Sequence, residues 1–248
     1  DHTNVLPKLR SVKSTAEANM IAHAVSISAL AYDAVMHTMR PGMNEFDIQE
    51  TLEHTYRSNG SRRPGYGTIA GGGINSTVLH YRANDEPLDD GDLICIDSGA
   101  DFGGYTADIT RTFPINGTFT KRQRQIYQIV LAAEEATIKA VKPGVTFAKL
   151  DAVARAIITK AGYGDYFIHG IGHNLGLEVH DVTPPGPLKA GNIITIEPGI
   201  YIPDEKIGVR IEDNILVSKD GRKNLSAAIP KRAAIIEKIM AEARGKKR

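Results

Sequence analysis

The alternation of apolar and polar positions predicts a pair of helices that recurs about a hundred residues later. Four segments have helical composition: 15–40, 45–58, 123–142 and 147–161. The first ends at Pro41 and the third at Pro143, whereas the second ends before Gly60 and the fourth before Gly162, and all four are natural helix stops. Both pairs of stops are 102 positions apart, so the pattern predicts an internal duplication.

Strand-like segments follow each helical pair. They are LICIDSGA and YTADITRTF in the first half, and NIITIEPGIYI and GVRIEDNILV in the second. Strands grouped after helices and joined by hairpin-like turns favour an α+β fold with antiparallel sheets over a doubly wound parallel sheet. The two halves would cover about residues 15–115 and 120–220, and residues 231–248 are predicted to form a surface helix with a basic, solvated end.

Composition limits the kinds of ligand that the chain can attract. Its 248 residues are 42% apolar, and 30 basic against 29 acidic residues give a formal charge of +1. This balance provides no broad field for nucleic acid or an anionic membrane, so neither is expected as a partner. There is no apolar run of about 18 residues to span a membrane, and the N-terminus DHTNVLPKLR has no apolar signal-peptide core. A cytoplasmic location is therefore expected, and the single cysteine, Cys95, is predicted to be a buried apolar side chain.

Two carboxylates in the first half are predicted to share one face of a hairpin. Asp97 ends the apolar run LICI, and a hairpin turn centred between Phe102 and Gly103 would place it opposite Asp108. Two adjacent carboxylates repel each other, so either one is protonated or a cation lies between them. A metal site and a hydrogen-bonded structural role are both consistent with this pair.

The second half repeats the arrangement. Glu197 also ends an apolar run, and period-2 alternation puts three polar side chains on one face of the next strand: Arg210, Glu212 and Asn214. Glu197 lies 100 positions after Asp97, and Glu212 lies 104 after Asp108. The duplication thus predicts a pseudo-symmetric cluster of four carboxylates, whose charge balances two divalent cations as in a two-metal hydrolytic site. Such oxygen-rich ligands suit Mn(II), Co(II), Fe(II) or Zn(II).

Three histidines occur together in HGIGHNLGLEVHD, at His169, His173 and His180. A zinc site built from all three is one interpretation, because neutral imidazole is a common metal ligand. Outside an informative context, a histidine more often has a structural role. A structural or surface role is therefore predicted for four further histidines, whose contexts suggest nothing else: His2, His23, His37 and His54.

The contexts IDSGADFGGYTADITRTF, HGIGHNLGLEVHD, TIEPGIY and VRIED resemble those of the pita-bread metallopeptidases, which include methionine aminopeptidase, prolidase and aminopeptidase P. The resemblance covers nearly the whole chain and implies the pita-bread fold, with two pseudo-symmetric halves whose antiparallel sheets are covered by helices. It also implies five metal ligands: Asp97, Asp108, His173, Glu197 and Glu212.

By the same resemblance, Asp97 would bind one of two divalent ions, and His173 with Glu197 would bind the other. Asp108 and Glu212 would bridge both ions. Mn(II) is the expected metal, with Co(II), Zn(II) and Fe(II) as alternatives.

The resemblance further points to the proline-specific branch of the family. His169 matches a histidine of that branch, His180 matches one that hydrogen-bonds the substrate and the tetrahedral intermediate, and His80 in STVLHYRAN matches a substrate-side histidine. An Xaa-Pro bond has no N–H, so recognition must use the ring shape and the flanking carbonyl, and Tyr201 is a further candidate for this contact. The implied substrate is a peptide with proline at its second position.

The implied mechanism is hydrolysis by a hydroxide that bridges two metals about 3.5 to 4 Å apart. Glu197 would act first as general base and then as general acid toward the proline nitrogen. Arg210, in VRIED, would position Glu212 by a charge-assisted hydrogen bond, with substrate contact as the alternative.

Three functions stay open at this stage. One is an aminopeptidase P-like enzyme that removes the N-terminal residue from Xaa-Pro peptides. The segment YTADITRTFPINGTFTKRQRQIY resembles that branch and favours this function. Another is a prolidase restricted to dipeptides, which would need a cation such as Lys206 for the product carboxylate. The third is a non-catalytic peptide-binding module, although all five implied ligands are present.

The domain expectation is a single catalytic domain over residues 1–248, without the N-terminal domain that relatives usually carry. The segment LPKLRSVKSTAEANM resembles the junction that follows that domain, and the chain starts with Asp, as a processed or truncated product would. A homodimer is an open expectation, since the family's dimer contacts partly involve the missing domain.

Overall fold

The predicted helices and strands are present in the computed structural model, which describes residues 5–245. The helices are α1 (Val5–Ser11), α2 (Thr15–Thr38), α3 (Glu45–Ser58), α4 (Lys121–Ala140), α5 (Phe147–Lys160) and α6 (Ala233–Ala243). The strands are β1 (Ile69–Gly72), β2 (Leu93–Asp97), β3 (Asp101–Phe102), β4 (Tyr105–Thr106), β5 (Thr110–Pro114), β6 (Ile193–Ile196), β7 (Gly199–Ile202), β8 (Ile207–Arg210), β9 (Asp213–Ser218) and β10 (Gly221–Asn224).

The fold has two similar halves, as the sequence predicts. The first half has the helical pair α2 and α3 and the three-stranded antiparallel sheet β1-β2-β5. The second half has the helical pair α4 and α5 and the three-stranded antiparallel sheet β10-β9-β6. The connection after the first helix of each pair makes the same contact in both halves: the Gly42 N–H donates to the Leu88 carbonyl at 2.9 Å, and the Gly144 N–H donates to the Leu188 carbonyl at 2.8 Å. These repeated backbone contacts support the duplication and the α+β fold with antiparallel sheets.

The first hairpin has a different register from the predicted one. β2 pairs with β5 so that Asp97 lies opposite Thr110, not opposite Asp108, and the turn is Gly103-Gly104. The register is thus shifted by two residues. Because side chains alternate with a period of two, a two-residue shift preserves the face. Asp97 and Asp108 therefore still share a face, as diagonal rather than direct neighbours.

The second hairpin, formed by β6-β7 and β8-β9, shows that the four carboxylates are not fully equivalent. Its register places Glu197 opposite Glu212, just as Asp97 lies opposite Thr110. The position two residues before Glu212, which corresponds to Asp108, holds Arg210. The predicted equivalence of Asp108 and Glu212 is therefore wrong, although both residues reach the same pocket.

The two halves are joined by Arg111, whose side chain is fully buried. Its guanidinium donates to the Asp213 carboxylate at 2.6 Å and to the Glu212 carbonyl at 2.6 Å. It also donates to the carbonyls of Ile229 and Pro230, in the segment before α6. This arrangement ties the first half, the second half and the C-terminal segment to one side chain.

Three elements were not predicted: α1, β1 and β10. The C-terminal helix agrees with the prediction over Ala233–Ala243, while the last three residues of the predicted segment lie outside the described residues. Cys95 is buried on β2, as expected. Across residues 5–245, no helix combines the length and apolar character needed to cross a membrane.

Gly99 permits the close approach of the two strands in the first hairpin, and its substitution is expected to destabilise the fold. A Cβ at this position would overlap the carbonyl oxygen of Ala107. We expect Gly99→Ala to lower the free energy of unfolding by about 3 kcal/mol, as overpacking against backbone typically does. Chemical denaturation of the metal-free protein measures this. Gly170→Ala, whose Cβ would meet nothing within 4 Å, is the control, and equal stability of the two variants would contradict the prediction.

Candidate metal centre

One pocket collects the chemistry-bearing residues of both hairpins. It has a volume of about 240 Å³ and is lined by Leu79, His80, Asp97, Asp108, His169, Gly170, Gly172, His173, His180, Glu197, Arg210 and Glu212. All five predicted metal ligands are in this set, together with four of the five other predicted site residues. The remaining one, Tyr201, lies behind the pocket wall.

Tyr66 holds the two carboxylates of the first half together. Its hydroxyl lies 2.6 Å from an Asp97 oxygen and 2.5 Å from an Asp108 oxygen. A hydroxyl has one proton to donate, so the two carboxylates share it. Asp108 is further fixed by Asn214, whose side chain bonds both its N–H and its carbonyl. Tyr66 and Asn214, both neutral, thus help to define the geometry of the pair.

Arg210 contacts a different carboxylate from the expected one. Its guanidinium donates to Asp97 at 2.8 Å and to the Thr110 hydroxyl at 3.0 Å. Glu212 instead accepts a hydrogen bond from Thr110 at 2.6 Å. The expectation that Arg210 bonds Glu212 directly is thus wrong, because Thr110 stands between them opposite Asp97. Arg210 fixes Asp97, and reaches Glu212 only through this hydroxyl.

His173 presents one ring nitrogen to the carboxylates. Its Nδ1 lies 3.0 Å from the Asn174 carbonyl, to which it donates, so Nε2 is left facing the pocket. Nε2 lies 3.3 Å from an Asp108 oxygen and 3.5 Å from a Glu197 oxygen. The backbone of His173 is held against β6, since its carbonyl accepts the Thr195 N–H at 2.9 Å.

The carboxylates of the pocket are buried and close together, and their pKa values reflect this. Burial and the adjacent Asp108 raise the pKa of Asp97 to about 6. Burial likewise raises the pKa of Glu197 to about 7, and burial with Asp108 raises that of Glu212 well above its usual range. Burial lowers the pKa of His173, but Asp108 and Glu197 outweigh it and raise the value to about 9. The raised pKa values thus mark groups at which a divalent cation could replace a proton.

The donor set fits divalent cations. One ligand atom each from Asp108, His173 and Glu212 lies within 4.8 Å of the other two. Asp97 and Glu197 flank this group through the contacts already described. Carboxylate oxygens with one imidazole and no thiolate suit Mn(II), Co(II), Fe(II) or Zn(II). The zinc interpretation with three histidines is not supported, because the carboxylates converge on the Nε2 of His173 and the ring of His169 is engaged elsewhere.

His169 is held by a chain of hydrogen bonds that ends at Asp97. Its Nδ1 donates to the Gly170 carbonyl at 2.8 Å, and its Nε2 accepts from the Tyr201 hydroxyl at 2.8 Å. The same hydroxyl accepts from Arg210 at 2.9 Å. Tyr201 is 2% exposed, so it supports the ring of His169 from behind and has no open path to a ligand.

The other two pocket histidines are open to solvent on one side. The ring of His180 contacts that of His173 edge to face at 4.2 Å between centroids and lies 6.4 Å from that of His80. Neither His80 nor His180 has a side-chain hydrogen bond within residues 5–245, so their ring nitrogens can address a ligand.

The histidines assigned a structural or surface role lie away from the pocket. His23 stacks on Phe102, and His37 and His54 contact polar groups of their own helices. His2 lies outside the described residues.

Sequence reasoning missed Tyr66 and Thr110. Tyr66 lies in the loop SRRPGYGT before β1, where no periodicity indicates which way a side chain points. Thr110 was assigned no role, although the correct hairpin register would have placed it opposite Asp97.

The sequence profile of metallopeptidase family M24 matches residues 19–219. The chain belongs to this family. It is 40% identical to the Xaa-Pro aminopeptidase of Haemophilus influenzae, with 97% of this chain covered, and 41% identical to the Xaa-Pro dipeptidase of Pyrococcus furiosus, with 90% covered. A solved structure of an Escherichia coli aminopeptidase P variant in complex with substrate superposes on 99% of this M24 chain with a TM-score of 0.94 and 36% identity.

The M24 chain is shorter than these relatives. It spans 63% of the Haemophilus influenzae protein, 65% of the Pyrococcus furiosus protein and 63% of the Escherichia coli chain. The comparisons agree on the pita-bread architecture and include both an aminopeptidase and a dipeptidase, so the relatives alone do not choose between those activities.

The burial of His169 leads to a pH prediction. Burial and Arg210 lower the pKa of His169 to about 4. Between the unfolded value of about 6.5 and pH 4, the unfolded chain binds a proton that the folded state does not, so the folded state loses stability as the pH falls through this window. We expect His169→Gln to lose less stability than the parent between pH 6.5 and 4.5, measured by chemical denaturation of the metal-free proteins.

NMR of the imidazole rings provides the direct measurement. The folded parent should keep His169 neutral at pH 5, whereas the denatured chain should titrate near 6.5. A His169 ring that protonates near 6.5 in the folded protein would contradict the prediction.

Proposed function

We propose that this M24 chain is a metal-dependent aminopeptidase that hydrolyses the N-terminal Xaa-Pro bond of peptides. The observation that carries the proposal is the convergence of four carboxylates and His173 in one pocket with three further histidines at its walls. Relatives named Xaa-Pro aminopeptidase and Xaa-Pro dipeptidase, together with the family itself, support hydrolysis next to proline.

Five residues would hold two divalent ions, for which Mn(II) is our first choice: Asp97, Asp108, His173, Glu197 and Glu212. Asp108, His173 and Glu212 would provide the closest group of donor atoms, and Asp97 and Glu197 would complete the set. When bound, the ions would supply Lewis acidity toward the scissile carbonyl and lower the pKa of the attacking water. Co(II), Zn(II) and Fe(II) are the alternatives.

The chain's own residues would direct the proton and the substrate. Glu197 faces the pocket next to His173, where it can accept a proton from water and pass it to the departing proline nitrogen. No hydrogen bond from residues 5–245 engages the ring nitrogens of His180 and His80, so these nitrogens can donate to carbonyl oxygens of the substrate. Both nitrogens of His169 are engaged, so we assign this ring to the apolar contact with proline rather than to a hydrogen bond.

The described lining of the pocket offers no free cation for a product carboxylate, and this favours peptides longer than a dipeptide. Among the pocket-lining residues of the described chain, the only arginine or lysine is Arg210, and its guanidinium is engaged by Asp97, Thr110 and Tyr201. Lys206, the candidate for holding a product carboxylate, is exposed in the turn between β7 and β8 and is not among those residues. A dipeptide would therefore bring an uncompensated carboxylate into the pocket.

A peptide-length series tests this choice. We expect the Mn(II)-loaded protein to hydrolyse Ala-Pro-Ala with a kcat/KM at least about tenfold above that for Ala-Pro, a difference of about 1.4 kcal/mol in transition-state binding. Ala-Ala-Ala is the control for proline specificity. A clear preference for Ala-Pro would favour the prolidase alternative, and binding of all three peptides without hydrolysis would favour the non-catalytic one.

Removal of a proposed bridging ligand tests the metal centre. We expect Asp108→Asn to reduce the bound metal, measured by elemental analysis after dialysis, and to lower kcat by at least about 100-fold because metal polarisation provides several kcal/mol. Asp220→Asn, in the exposed turn between β9 and β10, is the matched control. Parent activity that survives prolonged chelation, or an Asp108→Asn variant with full metal content and turnover, would contradict the proposal.

A further inference from the structure

A buried carboxylate next to His180 is held by two cations from a distant part of the chain. Asp181 is 5% exposed, and its side chain accepts from Arg10 at 2.5 Å and from Lys13 at 3.1 Å. Its Oδ1 also accepts the N–H of Val182 at 2.9 Å. No part of this cluster lines the pocket or belongs to the ligand set, so the site described above does not account for it.

The two cations lie in a segment that is itself docked. The Lys13 N–H donates to the Gly191 carbonyl at 2.8 Å, and the Asn192 side chain donates to the Ser11 carbonyl at 2.6 Å. A Cβ on Gly191 would lie 2.8 Å from a Val12 side-chain carbon, so the two backbones are in close contact. Gly191 and Asn192 lead directly into β6, and the cations are thus fixed to the sheet of the second half.

The segment from His173 to Asp181 is folded back onto this carboxylate. The Asp181 N–H donates to the Asn174 carbonyl at 2.9 Å, which closes the segment into a loop. Gly176 leaves room for the carboxylate, because a Cβ there would overlap it. The Gly176 carbonyl accepts the Thr106 N–H at 3.1 Å, so the loop is also tied to the first half.

His180 depends on this loop for its position. Its ring has no hydrogen bond within residues 5–245, and it contacts the ring of His173 edge to face and lies near that of His80. The next residue along the chain is Asp181, whose side chain is held by Arg10, Lys13 and the N–H of Val182. A change in the anchoring of Asp181 would therefore be transmitted to the ring of His180 with little to oppose it.

We propose that Arg10 and Lys13 are positioning residues for His180, acting through the buried Asp181 carboxylate. They fix the loop that carries His180, and so fix the direction in which its ring nitrogen addresses the substrate carbonyl. This inference rests on the proposed function for its kinetic measurement, but its spectroscopic measurement is independent of it.

The test removes the ion pair without leaving a buried charge, since a single unpaired buried charge would itself disturb the fold. The variant is Lys13→Met with Asp181→Asn. We expect kcat for Ala-Pro-Ala to fall by about tenfold with KM and metal content unchanged, because displacement of a catalytic group by about 1 Å can lower the rate by up to 100-fold. Arg10→Met, a milder change at a half-buried side chain, should lower kcat in the same direction.

A double-mutant cycle separates positioning from a general structural effect. In the His180→Ala background, the same Lys13 and Asp181 substitutions should change kcat by less than about twofold, since the side chain that they position is gone. An equal loss in both backgrounds would overturn the proposal. Arg124→Met is the matched control, because it also removes an arginine paired with a largely buried carboxylate, that of Glu237, and it should leave kcat unchanged.

The imidazole NMR signals of His180 give a readout that does not need turnover. They should shift or broaden in Lys13→Met/Asp181→Asn and in Arg10→Met, and should be unchanged in Arg124→Met. Unchanged signals in the first two variants would overturn the proposal even if the parent hydrolyses Xaa-Pro peptides. If the signals shift in these two variants but the parent hydrolyses no such peptide, the positioning role is upheld and the proposed function is contradicted instead.

Discussion

Mutual repulsion among four carboxylates gathered in one pocket is the constraint that organises this structure. Desolvation makes each charge costly, and proximity adds to the cost. The protein offsets part of it with donors placed on individual oxygens: Tyr66 for the first-half pair, Thr110 for Glu212 and Arg210 for Asp97. These donors do not remove the whole cost, because burial still raises the pKa values of Asp97 and Glu197. Divalent cations bound among these carboxylates would therefore stabilise the cluster.

The similarity of the two halves explains how the cluster is built, and their differences explain why it is not symmetric. Each half ends a buried strand with a carboxylate, Asp97 or Glu197, and returns through a hairpin. The return strand has Asp108 and Thr110 in the first half, where the second has Arg210 and Glu212 at the corresponding positions. One half thus supplies a carboxylate where the other supplies a guanidinium. This difference places a permanent cation beside Asp97, and leaves Glu197 with His173 as its close cationic partner.

The sequence predicted the helices within a few residues because their stops are local, as at Pro41 and Pro143. It also predicted the face of each carboxylate, since period-2 alternation survives a register shift of two. The register itself was wrong because the choice between the turns at 102–103 and 103–104 depends on cross-strand packing, which Gly99 permits. The partner of Arg210 was wrong for the same reason, since the position of Thr110 follows from the register. Tyr66, in an aperiodic loop, gave no local signal.

The same alternation that aims residues into the pocket aims their neighbours away from it. Glu212 faces the pocket and Thr110 bonds it there, whereas Arg111 and Asp213 face the opposite side, where they form a buried pair with Lys231 nearby. A buried ion pair is weak support for stability, because desolvation offsets much of its attraction. Its value here is geometric. Arg111 also binds the backbone carbonyls of Thr110 and Glu212, so it fixes the two strands in the one register that brings those side chains within 2.6 Å of each other. The centre therefore depends on charges on both sides of the strands. The carboxylates on one side would hold metal, and the Arg111–Asp213 pair on the other side fixes the strands.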